Sequence, residues 1–194
     1  MFVKTCDNNN ESELNQDFMK FTITGTHSSG KTTLAKRCSE YLGLELVRGD
    51  TIREVMEQYF PGKSLDNLTK DEHWRLENLG LSERIKAEEE EESFVSDGCT
   101  LNSVVYATAT LEGDIHTIKD FDEFSRIATS NAKNYDFIFY LPPEIPLVND
   151  GFRPMDKKFR LSIDRLLLQI LKGYTFYTIS GNVEDRLRQV EKIL

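Results

Sequence analysis

The run Gly25-Thr26-His27-Ser28-Ser29-Gly30-Lys31-Thr32 constrains this 194-residue chain more than any other stretch. Its glycines, lysine and final hydroxyl residue fit the pattern G-x-x-x-x-G-K-[ST]. Before it, Met19-Lys20-Phe21-Thr22-Ile23-Thr24 alternates apolar and polar residues, many β-branched or aromatic, as a strand does. After it, Leu34, Cys38, Tyr41 and Leu42 recur at helical spacing, and Gly43 supplies a stop. The motif therefore joins a strand to a helix. Glycines let the backbone curl until successive N–H groups converge on an anion, and the helix that follows adds its positive end. Gly25, His27, Ser28, Ser29, Gly30, Lys31, Thr32 and Thr33 are the residues expected around the phosphates of a nucleotide. Lys31 would reach the β- and γ-phosphates, and the Thr32 hydroxyl would ligate Mg²⁺. The pattern asks nothing of its third position, so His27 reads as a loop residue rather than a catalyst.

Length and charge narrow the classes. A chain of 194 residues suits one domain with a full core. The net charge of −9 argues against a protein that lives on nucleic acid, without excluding a local basic groove. No stretch is long and apolar enough to span a membrane, and no signal peptide opens the chain. Cys6, Cys38 and Cys99 match neither a zinc pattern nor a disulfide framework, which suits a reducing, cytoplasmic setting.

Residues 1–17 are polar and read as a loose tail before a domain over 18–194. A second short strand falls at Leu44–Arg48, followed by a helix with Ile52, Val55, Met56, Tyr59 and Phe60 on one face, capped by Asp50 or Thr51. Arg48 and Arg53 flank that strand-to-helix turn. Ligands of open α/β sheets sit beyond the carboxyl ends of the strands, so both arginines are placed to hold an acceptor. Surface salt bridges explain them equally well. Residues 69–92 read as a long helix with a capping box at Thr69 and Glu72, whose apolar positions have no clean period. The run Glu88 to Glu92 reads as its solvated end.

Ser93–Asp97 is a third strand candidate. A carboxylate at a strand's end beside a phosphate loop is where Mg²⁺, its waters or an acceptor hydroxyl would be met, which makes Asp97 the candidate acid; Asp97-Gly98 is also a common turn pair. Helices are expected around Leu101–Leu111, with Gly113 as the stop, and around Phe121–Lys133. Tyr135–Leu141 is nearly all apolar or aromatic, as a strand covered on both faces should be. The segment Pro142–Pro154 is too long for a plain connection and reads as a lid or binding loop. Arg153, Lys157, Lys158 and Arg160 then gather cations at the start of a helix, against its dipole, and read as a phosphate clamp or a solvated surface. A last strand at Tyr174–Ile179 and an amphipathic helix capped by Asn182 close the chain. Strands alternating with helices predict an α/β fold, with a five-stranded parallel sheet covered on both faces and right-handed crossovers.

The phosphate loop, Asp97-Gly98, Tyr106-Ala107, Tyr135–Phe139, Asp150-Gly151-Phe152-Arg153 and Gly181–Leu187 together resemble a group of compact P-loop proteins. This is the AAA-domain ATPase/kinase group that includes the nicotinamide riboside kinase domain of bacterial NAD-biosynthesis regulators, with thymidylate and deoxynucleoside kinases as wider relatives. The resemblance spans roughly residues 19–194. It implies a nucleotide-kinase-like sheet with a lid after strand four. It implies phosphate and Mg²⁺ roles for Lys31 and Thr32, an acidic role for Asp97, and a lid-side site at Asp150 and Arg153. Many relatives carry Asp-Arg after strand three. Here Gly98 stands in the arginine's place, and Arg48 or Arg53 are the substitutes to test.

Three functions are compatible with these residues. The first is transfer of a phosphoryl group from ATP·Mg²⁺ to a small nucleoside or nucleotide acceptor, with Lys31, Asp97 and Arg153 as the catalytic group and Arg48, Arg53, Asp150 and Arg153 at the substrate. The second is a nucleotide-binding switch with a protein partner. The third is a kinase acting on DNA or RNA, against which the acidic balance weighs. A guanine-reading Asn-Lys-x-Asp segment is absent, which tilts the nucleotide toward ATP. The oligomeric state, a homodimer included, stays open.

Overall fold

The computed structural model describes residues 18–48, 52–111, 119–147 and 155–194. The polar tail, the proposed cap at Asp50 or Thr51, the stop at Gly113, and Asp150 and Arg153 lie outside the described residues. The strands are β1 (Lys20–Gly25), β2 (Glu45–Val47), β3 (Phe94–Asp97), β4 (Phe137–Leu141) and β5 (Tyr177–Thr178). The helices are α1 (Lys31–Leu42), α2 (Ile52–Tyr59), α3 (Lys70–Glu89), α4 (Thr100–Thr110), α5 (Phe121–Asn131), α6 (Lys157–Leu171) and α7 (Val183–Ile193). The five strands form one parallel sheet in the order β2-β3-β1-β4-β5, as the alternation predicts. The last strand is shorter than the apolar run Tyr174–Ile179 implies, because only Tyr177 and Thr178 pair with β4.

Alternation along the strands splits the core into two layers. Phe21 and Ile23 of β1, Val95 of β3, and Phe139 and Leu141 of β4 pack against Leu34, Ala35 and Cys38 of α1 and Val190 of α7. On the opposite face Phe94, Ile138 and Tyr140 meet Leu101 and Val105 of α4 and Ile163, Leu167 and Leu171 of α6. Each buried valine, leucine, isoleucine and phenylalanine among them contributes roughly 1.5–3 kcal/mol of transfer free energy.

Helix α3 has its own logic. Its capping box is formed, with Glu72 N–H donating to Thr69 Oγ1 and the Glu72 carboxylate accepting from Thr69 N–H. Its apolar residues show no single stripe because two neighbours share it. Leu76 packs with Val55, Met56 and Phe60 toward α2, while Trp74, Leu81 and Ile85 pack with α4 and α5. One expectation about its end is wrong. Glu88 is 8% exposed; its carboxylate accepts from Ser96 Oγ at 2.6 Å and from the Tyr135 hydroxyl at 2.8 Å. Only Glu89, Glu90 and Glu92 of that run are solvated.

Polar residues on β1 are used as well. Thr22 Oγ1 donates to the Gly98 carbonyl at 2.8 Å, and Thr24 Oγ1 donates to Asn102 Oδ1 at 2.9 Å. Asn102 Oδ1 also accepts from Cys99 N–H, and its Nδ2 donates to Gly25 O. The buried threonines thus tie the end of β1 to the turn between β3 and α4. Buried polar groups need such partners, and here the partners are the segments that form the site.

Candidate functional site

The phosphate loop leaves the carboxyl end of β1, the central strand, and enters α1. Gly25 has φ 151°, and a Cβ there would stand 2.6 Å from the Leu141 carbonyl oxygen. Only glycine fits so close a backbone crossing. Gly30 caps α1 with φ 89°, and Ser28 also has a positive φ, 56°. The loop is therefore wound tightly, at the helix end whose first N–H groups have no partner inside the helix. Lys31 Nζ donates to Thr26 O at 2.7 Å, which holds the ammonium across the loop.

Two arginines from distant elements brace this loop. Arg160 of α6 is 6% exposed; its Nε donates to Thr26 Oγ1 at 3.2 Å, its Nη1 to Ile145 O at 2.7 Å and its Nη2 to Ser28 O at 3.3 Å. Arg186 of α7 is 2% exposed; its Nη1 donates to Ser29 O at 2.7 Å and its Nη2 pairs with Glu144 at 3.2 Å. This corrects the cation cluster read at the start of α6. Lys157 and Lys158 are exposed there. Asp156 caps the helix by accepting from Lys158 N–H, and Arg160 is buried against the loop's backbone. Lys157, Lys158 and Arg160 therefore do not form one clamp, and Arg153 lies outside the described residues.

A cavity of about 140 Å³ opens beside the loop, and Lys31, Thr32, Arg48 and Asp97 all line it, together with Arg84, Gly98 and Asn102. The structure so brings together four residues singled out in the sequence. Thr32 and Thr33 are exposed, and Asp97 is half-buried at the end of β3. Arg53, exposed on α2, is not part of that lining. A second cavity of about 320 Å³ adjoins the first and shares Ile52, Glu77 and Tyr106 with it. Its walls are mostly apolar or aromatic: Leu65, Leu76, Ala109, Phe159, Tyr106, His27 and His73.

His27 is a wall of this second cavity rather than an idle spacer. It is 2% exposed, its N–H donates to the Tyr106 hydroxyl at 3.2 Å, and its ring packs against Tyr106 and Phe159. Burial holds the His73 imidazole below its ordinary titration range, so this ring of the cavity is neutral near pH 7.

The donor set fits a hard divalent cation bound with a nucleotide. Mg²⁺ takes oxygen ligands, commonly one or two side chains together with substrate phosphates and water. Thr32 and Asp97 offer a hydroxyl and a carboxylate in one cavity. The loop supplies the phosphate side, with a crossing at Gly25 that any Cβ would fill. The Ser29 hydroxyl is buried there with no hydrogen-bond partner among the described residues.

Sequence reasoning missed Arg84 and Phe159 as site residues; it had Tyr106 and Arg186 only inside family-like segments, and Arg160 only as one of a cluster of cations. Their partners are carbonyls and rings far away in sequence, a relation that local patterning does not carry.

A phosphate loop on the central strand of this parallel sheet, facing a cavity with lysine, hydroxyl and carboxylate, defines an α/β P-loop nucleotide-binding protein with a nucleotide-kinase-like fold. The chain belongs to the AAA_28 family, described as an AAA domain, whose profile matches residues 20–186. Among solved structures it is similar to deoxyadenosine kinase from M. mycoides with bound dATP, at TM-score 0.65 and 15% identity over 90% of this chain and 98% of that one. It is similar to thymidylate kinase from Candida albicans at TM-score 0.63 and 15% identity, covering 91% of both chains. It is also similar to the NadR protein in complex with NR, at TM-score 0.65 and 18% identity; it covers 92% of this chain but only 51% of NadR. At such identities the likeness shows the fold. No curated protein matches the sequence. Among the described residues no helix is long and apolar enough to cross a membrane.

Proposed function

We propose that the protein transfers the γ-phosphoryl group of ATP to a small nucleoside or nucleotide. The observation that carries this reading is the pair of joined cavities. The smaller is polar and holds the phosphate-loop lysine and Asp97. The larger is apolar and aromatic, of a size to take a flat ring, which is the lining small-molecule sites show. A hydrolase or switch needs the first compartment and has no use for the second.

Catalysis in such a site is positioning and charge neutralisation. The backbone of residues 25–33 and the Lys31 ammonium would hold the β- and γ-phosphates, with Lys31 moving from the Thr26 carbonyl to the phosphate oxygens. Thr32 and Asp97 would hold Mg²⁺, which when bound supplies charge neutralisation across the β- and γ-oxygens. Asp97 would orient the acceptor and take its proton as the new P–O bond forms and the bond to the β-phosphate breaks. Arg48, at the mouth of the cavity, would meet an anionic part of the acceptor, and Asp150 and Arg153 would close the site from the lid side. The rings of Tyr106, Phe159 and His27 would hold the acceptor's base. Arg160 and Arg186 keep the loop in shape and would not touch substrate. A cytoplasmic location suits an enzyme that uses ATP.

The test is ADP release from ATP·Mg²⁺ across an acceptor panel: nicotinamide riboside, the deoxynucleosides, their monophosphates and a short oligonucleotide. Release stimulated many-fold by one small acceptor is expected. Slow release indifferent to every acceptor contradicts the proposal and favours a nucleotide switch. Stimulation by the oligonucleotide alone favours a nucleic-acid kinase.

A further inference from the structure

Directly after β3, where Asp97 ends the strand, Gly98 has φ +97° and no side chain. The space beside it is taken from another element. A Cβ at residue 98 would stand 3.2 Å from Arg84 Nη2, so the guanidinium of α3 occupies the volume a side chain there would need. Three hydrogen bonds place that guanidinium. Nη2 donates to the Asp97 carbonyl at 3.1 Å, and Nη1 donates to the Gly98 carbonyl at 2.9 Å and to Ser96 Oγ at 2.9 Å. All three contacts lie on the last residues of β3 and the turn after it.

Behind Arg84 stands a buried support. Glu88, one turn along α3, lies 3.8 Å from Arg84 Nη1. Its carboxylate also accepts hydrogen bonds from the Ser96 and Tyr135 hydroxyls. Tyr135 in turn accepts from Thr100 N–H, at the start of α4. The chain Tyr135–Glu88–Ser96–Arg84 therefore joins the segment that leads into β4 to α3, β3 and α4 behind one carboxylate. The Arg84 side chain is 14% exposed, and that exposed part lines the same cavity as Lys31 and Asp97. A planar fork with five donors can satisfy several fixed acceptors at once; an ammonium on a flexible stem cannot.

We propose that Arg84 is a positioning residue that fixes Asp97 for phosphoryl transfer, with Glu88, Ser96 and Tyr135 fixing Arg84 in turn. The claim rests on the reading of Asp97 given above. It adds a physical link: the helix that walls the larger cavity through His73, Leu76 and Glu77 also carries, two turns on, the side chain that holds the turn at Asp97. Placement of a group through its supporting shell is worth about 10- to 100-fold in comparable sites.

The test is steady-state kinetics of Arg84→Lys, Asp97→Asn and the double variant. Arg84→Lys is expected to lower kcat about tenfold or more. In the Asp97→Asn background the same change is expected to cost almost nothing further, since an effect exerted through Asp97 is lost with it. An unchanged kcat, or an undiminished loss in that background, overturns the proposal. Thermal unfolding by circular dichroism checks the fold. If Arg84→Lys does not fold, Tyr135→Phe slackens Glu88 from outside the cavity, and its smaller kcat loss is expected to vanish in the same background. If the wild type phosphorylates no acceptor, the kinase reading fails by itself and calorimetry decides Arg84. The gain in AMP-PNP affinity on adding Mg²⁺ is then expected to fall alike in Asp97→Asn and Arg84→Lys. A fall in Asp97→Asn alone, or in neither, overturns the proposal.

Discussion

Single residues in this protein divide by what surrounds their charge. Lys157 and Lys158 stand in solvent, while Arg160, Arg186 and Glu88 are buried with named partners. In the sequence Lys157, Lys158, Arg160 and Glu88 look alike, as members of charge runs, and the burial of Arg160, Arg186 and Glu88 was not legible because their partners are brought in by tertiary packing. Gly25, Lys31 and Thr32 were legible, because a phosphate loop demands those types at that spacing. Glu88 gives a test at this scale. Burial, the largest influence, raises its carboxyl above the ordinary 4.5, while Arg84, Ser96 and Tyr135 pull the other way. The native state then binds more protons than the unfolded chain between 4.5 and the raised value. Its contribution is full below 4.5 and is lost as pH rises through the folded value. Melting curves of wild type and Glu88→Gln are expected to show wild type losing ground to the variant as pH rises across that window. The opposite slope would mean that the Arg84 ion pair outweighs burial.

At the scale of elements, the strands were easiest to read where both faces are covered. β4 announces itself as an apolar run and β1 as an alternation, each close to its observed span. Caps were readable too: Gly43 closes α1 with φ 68°, Thr69 opens α3 and Asn182 opens α7 by accepting from Asp185 N–H. Helix α3 resisted because it is packed from two sides, so no single apolar stripe exists to be found. It is also the element on which the site depends most, since it walls the larger cavity and delivers Arg84. Thr69→Ala removes the side chain that caps it and is expected to cost about 1 kcal/mol in denaturant unfolding. The cost should appear as a lower midpoint with an unchanged slope. No loss would show that tertiary packing alone holds the first turn.

The described residues form a parallel sheet whose central strand ends in a phosphate loop, and whose neighbouring strand β3 ends in the carboxylate beside it. That arrangement followed from the order of motifs along the chain. The second cavity did not, because its walls come from the loop and from α2, α3, α4 and α6 at once. The net charge is −9, yet Arg48, Arg84 and Lys31 gather at one end of the sheet. The central claim is that a phosphoryl group moves from ATP to a small acceptor bound in that second cavity. Mass spectrometry of the acceptor, alongside counted ADP, tests it most directly, with Lys31→Ala as the matched control. The account predicts one phosphorylated acceptor per ADP with wild type, and a loss of about a thousandfold or more in Lys31→Ala with its fold intact. ADP formed without any phosphorylated acceptor, or wild-type turnover in Lys31→Ala, would contradict it.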